Sequence, residues 1–489
     1  MKGLIFVWLF LFFSLLNAQN TYKKSLCLAA INRFVNDSDL IGSSISFSLI
    51  NATNGDEVAS LDKDRNLIPA STLKIITCAT ALMTAGESYQ FNTLFEFKGS
   101  ILQDSIFRGN LYINGMGDPS FGSGKMIESR TVSQIADTLA SLLFNECIRE
   151  FQGNIIINSD YIKDIPENPE WLYYDLANYY GAGVFGFNVL ENSANITLEK
   201  KLENSSYQIT RVYPSEISDI FQNNLKFVEY NLTEDDDLFF LGSSQCNQLT
   251  LNGLVNSRNP NSYTLKSSIP YPALAYQLIL ENQLRLRGIR MVKPNSSSMN
   301  LYPYFTYNNN SPNLRSLVQY TLKNSVNLYC ESFVHLIGDV WFKNTNRNNS
   351  LRSIEKFWEA KLNSENALRL VDGSGLSRKN SLNAETLCGI LRSIYADNSP
   401  RNFYELLNNI KEEGVLSEIL SKEKSLVGEF RLKSGSMEGV RTYAGYILYN
   451  HNPRYIISLL INGYHCNSKI VSAAIAKLLI EIDRNLKPT

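Results

Sequence analysis

The sequence predicts an α+β protein in which a five-stranded antiparallel sheet flanked by helices is interrupted by β-rich inserted domains. Three observations predict it. Residues 44–61 alternate apolar and polar side chains around Asn54-Gly55, the pattern of a β-hairpin. The C-terminal end carries three further β-prone runs followed by an apolar-periodic helix. Between these ends, residues 87–265 alternate short β-prone runs with Asn, Ser, Gly and Asp clusters.

Taken in order, the chain opens with Met-Lys-Gly, an apolar run from Leu4 to Leu16, and the small residue Ala18. That is the composition of a secretory leader, residues 1–18, cleaved after Ala18. The run falls short of the roughly 20 apolar residues that cross a bilayer, and no second long one follows, so no stable membrane span is expected. In the hairpin, Asn54-Gly55 is expected to supply the positive φ angles of a tight turn. Pro69 then opens a helix-prone run, Ala70 to Ala85, which Gly86 closes. Leu111–Asn114 and Gly153–Asn158 read as strands, Glu234–Asp237 as a solvated acidic turn, and helical texture returns at 270–287 and 313–342. The end of the chain reads as strands Phe430–Ser436, Thr442–Tyr449 and Tyr455–Asn462, then a helix Ser468–Ile482. Residues 19–86 and 266–489 are therefore expected to form one discontinuous domain. Residues 87–265 form its β-rich insert, with two nested subdomains.

A chain of 489 residues exceeds the size at which one core stops growing, which fits several domains. The formal charge of -1 leaves no basic excess for binding nucleic acid. Seven cysteines are scattered without a C-x-x-C or a Cys/His cluster, so neither a zinc site nor any cofactor is expected, and most should be buried apolar groups.

Only three histidines occur, His335, His451 and His465, and there is no G-x-S-x-G turn. Serine chemistry here therefore calls for a base other than a triad histidine. Ser71-Thr-Leu-Lys74 offers one: positions i and i+3 share a helix face, so the Lys74 amine can reach the Ser71 hydroxyl. The first helical turn also leaves unpaired N–H groups for an oxyanion. A lysine serves as base only when burial or neighbouring charge lowers its pKa. Alone, S-x-x-K is better read as a helix cap with an exposed lysine. Two more motifs change the balance: Ser325-Val326-Asn327 in a helical context, and Lys433-Ser434-Gly435-Ser436 on a strand. The order S-x-x-K, S-x-N, K-[ST]-G is that of penicillin-binding proteins and serine β-lactamases.

Further segments narrow the resemblance. Gly109-Asn-Leu-Tyr-Ile-Asn-Gly-Met-Gly-Asp-Pro-Ser, Asp175-Leu-Ala-Asn-Tyr-Tyr-Gly-Ala and Asp372-Gly-Ser-Gly-Leu-Ser-Arg resemble motifs of the class C low-molecular-mass penicillin-binding proteins, the D-alanyl-D-alanine carboxypeptidase/endopeptidases of the DacB type. The 251 residues from Lys74 to Ser325 (325 − 74) leave room for the inserted domains of that family, more than the β-lactamase spacing allows. Val326 for the commoner Asp, Ser434 for Thr and Met116 for a small residue are departures that remove no catalytic group.

The resemblance implies a transpeptidase-like catalytic domain and a periplasmic enzyme acting on peptidoglycan stem peptides and crosslinks, inhibited by β-lactam antibiotics. It implies Ser71 as nucleophile, Lys74 as base and Ser325 as proton relay. Asn327 and Lys433 would bind substrate, with Ser434, Gly435 and Ser436 forming a strand edge for the peptide and Ser71 and Ser436 giving oxyanion N–H groups. Asp372 and Arg378 would either line the cleft or serve a turn, and Asp118 reads as a turn residue. The competing readings are a serine β-lactamase, for which Glu191-x-x-x-Asn195 is a literal but misplaced base motif, and a non-catalytic wall-binding protein.

Overall fold

The N-terminal hairpin forms as Ser44–Asn51 and Glu57–Leu61, paired antiparallel. Its connection differs from the expected tight turn. Residues 52–56 close it, Asn51 Oδ1 accepts from Thr53 N and Asn54 N, and Gly55 takes positive φ while Asn54 does not. The longer loop needs one left-handed residue rather than two. This computed structural model describes residues 21–102, 105–200, 207–228, 237–256, 262–293, 302–365 and 367–487. The leader 1–18 and acidic residues Glu234–Asp236 lie outside them.

The chain divides into two compact units. The first holds residues up to Met83, Leu322–Ser325 and Leu351 onward. Its sheet runs Asn408–Asn409, Glu429–Met437, Val440–Tyr449, Asn452–Asn462, Ser44–Asn51, Glu57–Leu61, antiparallel throughout. The five expected strands are all present, and a two-residue edge strand makes a sixth. Strand Val440–Tyr449 is buried along its whole length, as befits a central strand covered on both faces. Helix Ser468–Leu486, capped by the Asn467 side chain on Lys469 N, lays Val471, Ile475, Leu479 and Ile482 against Phe47, Phe430, Leu459 and Ile461. Each such side chain stabilises the fold by about 1.5–3 kcal/mol.

The second unit, Thr84–Thr321 with Val326–Ser350, holds three sheets among the described residues. The largest joins Arg290–Val292, Glu150–Gln152, Ile106–Asn114, Asn92–Leu102 and Pro303–Asn310 in that order, with Ile155–Asn158 also pairing Ile106–Asn114. Helices Val132–Asn145 and Pro272–Leu286 bury their apolar stripes in the same core. The units are drawn at other residues than the sequence suggests. Pro303–Asn310 pairs with Asn92–Leu102, so the stretch through Thr321 folds with the β-rich unit. All seven cysteines are free, with Cys27, Cys78, Cys330 and Cys388 buried and Cys147 exposed.

Candidate active site

The helix expected at Ala70 begins instead as a 3₁₀ turn, Ala70–Leu73, and becomes α-helical only at Lys74. Ala70 sits at φ +46, a left-handed conformation that a non-glycine residue adopts at a cost of about 1–3 kcal/mol. The strained residue directly precedes Ser71. Thr442, on the central strand, holds this bend by donating its hydroxyl to the Pro69 carbonyl at 2.7 Å.

Lys74 is fully buried, and its Nζ donates to Ser71 Oγ at 2.9 Å and to the Ser374 carbonyl at 2.6 Å. Burial removes the water that would solvate an ammonium, the condition a lysine base requires. The carbonyl comes from the loop Asp372–Arg378, which a second bond, Thr77 Oγ1 to the Gly373 carbonyl, fastens to the same helix. Asp372, also fully buried, shapes the loop. Its carboxylate accepts from Gly375 N, Ser377 N and Asn380 Nδ2, while Asn380 Oδ1 accepts from Val371 N and Asp372 N. Asp372 is thus a turn-building residue that aims a carbonyl at Lys74. Arg378 is exposed and its guanidinium donates to the Glu438 carbonyl.

Ser325, at φ +58, follows helix Leu314–Asn324, and its Oγ accepts from Lys433 Nζ at 3.0 Å. Lys433 is buried and also donates to the Ser434 carbonyl. Ser434 and Ser436 are exposed. The neighbouring edge strand pairs only with Arg431 and Leu432, so its ladder stops short of Lys433–Met437. Gly435 lies against the nucleophile: a Cβ there would stand 2.8 Å from Ser71 N and 2.2 Å from Thr442 Oγ1. Gly435→Ala is therefore expected to lower stability by about 1–3 kcal/mol. It should also slow acylation on the order of 10²-fold by displacing Ser71. Thermal unfolding and penicillin-labelling kinetics on the same sample check both.

Asn327 belongs to the second unit, where it opens helix Asn327–Phe342 and donates Nδ2 to the Tyr180 carbonyl at 2.7 Å. The Y-Y-G-A turn and the S-x-N motif thus meet through one bond. His335, on the same helix, is fully buried, with Nδ1 bonded to the Thr345 carbonyl and its pKa lowered to about 4, chiefly by burial. Glu191 is also buried, and its carboxylate accepts from Lys125 Nζ and the Tyr329 hydroxyl. An oxygen so occupied is a poor base for deacylation.

Asp118 builds a turn, its Oδ1 accepting from Ser120 N and Ser120 Oγ. It is buried, Oδ2 has no hydrogen-bond partner, and burial raises its pKa from 3.8 to about 6. A folded pKa above the unfolded one means that stability falls as pH climbs from about 4 to about 6 and levels off beyond. Asp118→Asn, isosteric and uncharged, is expected to gain on the wild type across that window and to keep a constant difference above it. Denaturant unfolding of both proteins on either side of the window measures this.

Of the residues picked out from sequence, the first unit pairs Lys74 with Ser71 and Lys433 with Ser325. Sequence reasoning missed Thr442 and Thr77, whose partners are remote in sequence, and also Asn380. Only Asn380, eight residues past Asp372, lay close enough to a motif to be noticed.

Comparison with known proteins follows the same lines. The fold matches the crystal structure of penicillin binding protein 4 (dacB) from Haemophilus influenzae at a TM-score of 0.74 and 20% identity, covering 93% of this chain and 99% of that one. The chain is 21% identical to the D-alanyl-D-alanine carboxypeptidase DacB of the same organism, covering 92% of this chain and 93% of the relative. It is 24% identical to the penicillin-sensitive carboxypeptidase A of Dictyostelium discoideum, covering 81% and 78%. The model of the D-Ala-D-Ala carboxypeptidase 3 (S13) family matches residues 27–486. With that match spanning nearly the whole chain, the chain belongs to the D-Ala-D-Ala carboxypeptidase 3 (S13) family of serine hydrolases.

Proposed function

We propose that the protein cleaves the D-Ala-D-Ala bond of peptidoglycan stem peptides through an acyl-enzyme on Ser71, as a penicillin-sensitive enzyme exported to the periplasm. The observation that carries this reading is the fully buried Lys74 amine 2.9 Å from the Ser71 hydroxyl. As a neutral amine, Lys74 accepts the Ser71 proton while Ser71 Oγ forms a bond to the carbonyl carbon. The C–N bond to the terminal D-Ala then breaks, and the leaving amine takes the proton that Lys74 accepted, relayed through Ser325. Water attacks the ester in the second half-reaction, and its proton restores the Ser71 hydroxyl.

Lys433 attracts the terminal carboxylate, and the exposed Ser434 and Ser436 lie on the strand edge proposed to take the extended peptide. Asn327 binds the substrate backbone. The N–H groups of Ser71 and Ser436 stabilise the oxyanion, each contributing on the order of 10²–10³ in rate. Penicillin sensitivity is supported by the Haemophilus influenzae structure solved as a complex with a β-lactam and by the name of the Dictyostelium relative. Export is supported by the leader composition, and no helix among the described residues is long and apolar enough to cross a membrane. Mass spectrometry of muropeptides after incubation tests the reaction. Loss of one D-Ala from pentapeptides marks carboxypeptidase action, and conversion of crosslinked dimers to monomers marks endopeptidase action. Unchanged muropeptides contradict the proposal.

A further inference from the structure

Leu190, Glu191 and Asn192 are three consecutive non-glycine residues in the left-handed region, at φ 54, 56 and 47. All three are buried. Such a run is costly and persists only where its surroundings over-determine it. Here they do. Leu190 N donates to the Phe121 carbonyl, and Asn192 is fastened on three sides, to Val189 N, the Gly183 carbonyl and Asn188 Oδ1.

The strained run delivers one carboxylate into the interior. Glu191 Oε1 accepts from the Tyr329 hydroxyl at 3.0 Å, Oε2 takes Lys125 Nζ, and the Tyr320 hydroxyl also bonds to it. The two tyrosines come from different helices. Tyr320 lies on Leu314–Asn324, which runs into Ser325, and Tyr329 on Asn327–Phe342, which starts at the motif asparagine. Their rings touch at 5.4 Å. One buried anion therefore ties together the helices on either side of the S-x-N motif.

We infer that Glu191 is a positioning residue for acylation: by joining Tyr320 and Tyr329 it fixes the helix junction that presents Asn327. Charge-assisted bonds from phenols to a buried carboxylate are stronger than neutral ones and suit a fixed joint. Lys125, partly exposed, gives the same buried carboxylate a positively charged partner. The inference rests on the proposed substrate-binding role of Asn327, and the test separates the two.

The test measures acylation by a fluorescent penicillin, normalised to the number of sites that react at completion, for the wild type, Glu191→Ala, Tyr329→Phe, Asn327→Ala and the Glu191→Ala/Asn327→Ala pair. Glu191→Ala is expected to keep near-full stoichiometry but acylate on the order of 10-fold to 100-fold more slowly per site. Glu191→Gln, whose amide oxygen still accepts one phenol, should recover most of the rate. The double variant should acylate no more slowly than Asn327→Ala alone, because the two act in series. Equal per-site rates in wild type and Glu191→Ala, with only a lower melting temperature, overturn the inference and reduce Glu191 to a structural role. If Glu191→Ala does not fold, Tyr329→Phe, which removes a single hydroxyl, carries the same expectation of slowed per-site acylation, and an unchanged rate overturns it. A normal rate in Asn327→Ala overturns the role of Asn327 itself, and the inference with it. Slowing in Asn327→Ala with none in the clamp variants overturns the inference alone.

Discussion

Ser71→Ala is expected to abolish both labelling by penicillin and release of D-Ala from pentapeptides, with a loss on the order of 10⁵ or more in rate. The other motif serine, Ser325, faces Lys433, and the amine on Ser71 is Lys74. The hydroxyl contributes little to the fold, since Ser71 is only half-buried and the bend is held by Ala70, Thr442 and Gly435. The variant should therefore melt with the wild type and still bind peptide. Thermal unfolding together with penicillin labelling separates lost chemistry from lost structure. Labelling that survives in Ser71→Ala would remove Ser71 from its assigned role.

Lys74→Met should come next in size, with acylation slowed on the order of 10²–10⁴-fold, the usual contribution of a positioned base. Methionine matches the lysine stem in length and packs in the same fully buried channel, so the loss reports the amine rather than a cavity. Stability is set by two opposed effects. The Ser374 carbonyl loses its donor, at about 1–3 kcal/mol. Against that, an amine no longer has to be buried, a relief of similar size. The melting temperature is therefore expected to change little while activity collapses. A variant that acylates normally would show that Ser71 takes its proton elsewhere.

The proposed reacting groups stand out in the sequence because they are short-range patterns on regular elements. Ser71 and Lys74 are three residues apart, and the Lys433 strand alternates as a strand should. The three C-terminal strands and their helix were legible for the same reason, since their periodicity is set locally. What stayed hidden depends on residues far apart in the chain. The Ser374 carbonyl that holds Lys74 lies 300 residues away, and Thr442 reaches back to Pro69. The left-handed Ala70 carries no composition signal, because the residue there is not glycine. Residues 303–310 look like any short β-prone run, and only their pairing with Asn92–Leu102 assigns them to the β-rich unit. Glu191 stood out in the sequence for a motif it does not serve, and its bonds to Tyr329 and Lys125 give it another purpose.

The most direct test of the central claim is to trap the covalent intermediate. Wild-type protein mixed with a D-Ala-D-Ala peptide and quenched in acid should carry the peptide, less its terminal D-Ala, as an ester. Digestion and tandem mass spectrometry should place that ester on Ser71, and Ser71→Ala treated identically should carry none. An ester on another residue, or turnover of the peptide by Ser71→Ala at the wild-type rate, would contradict the account.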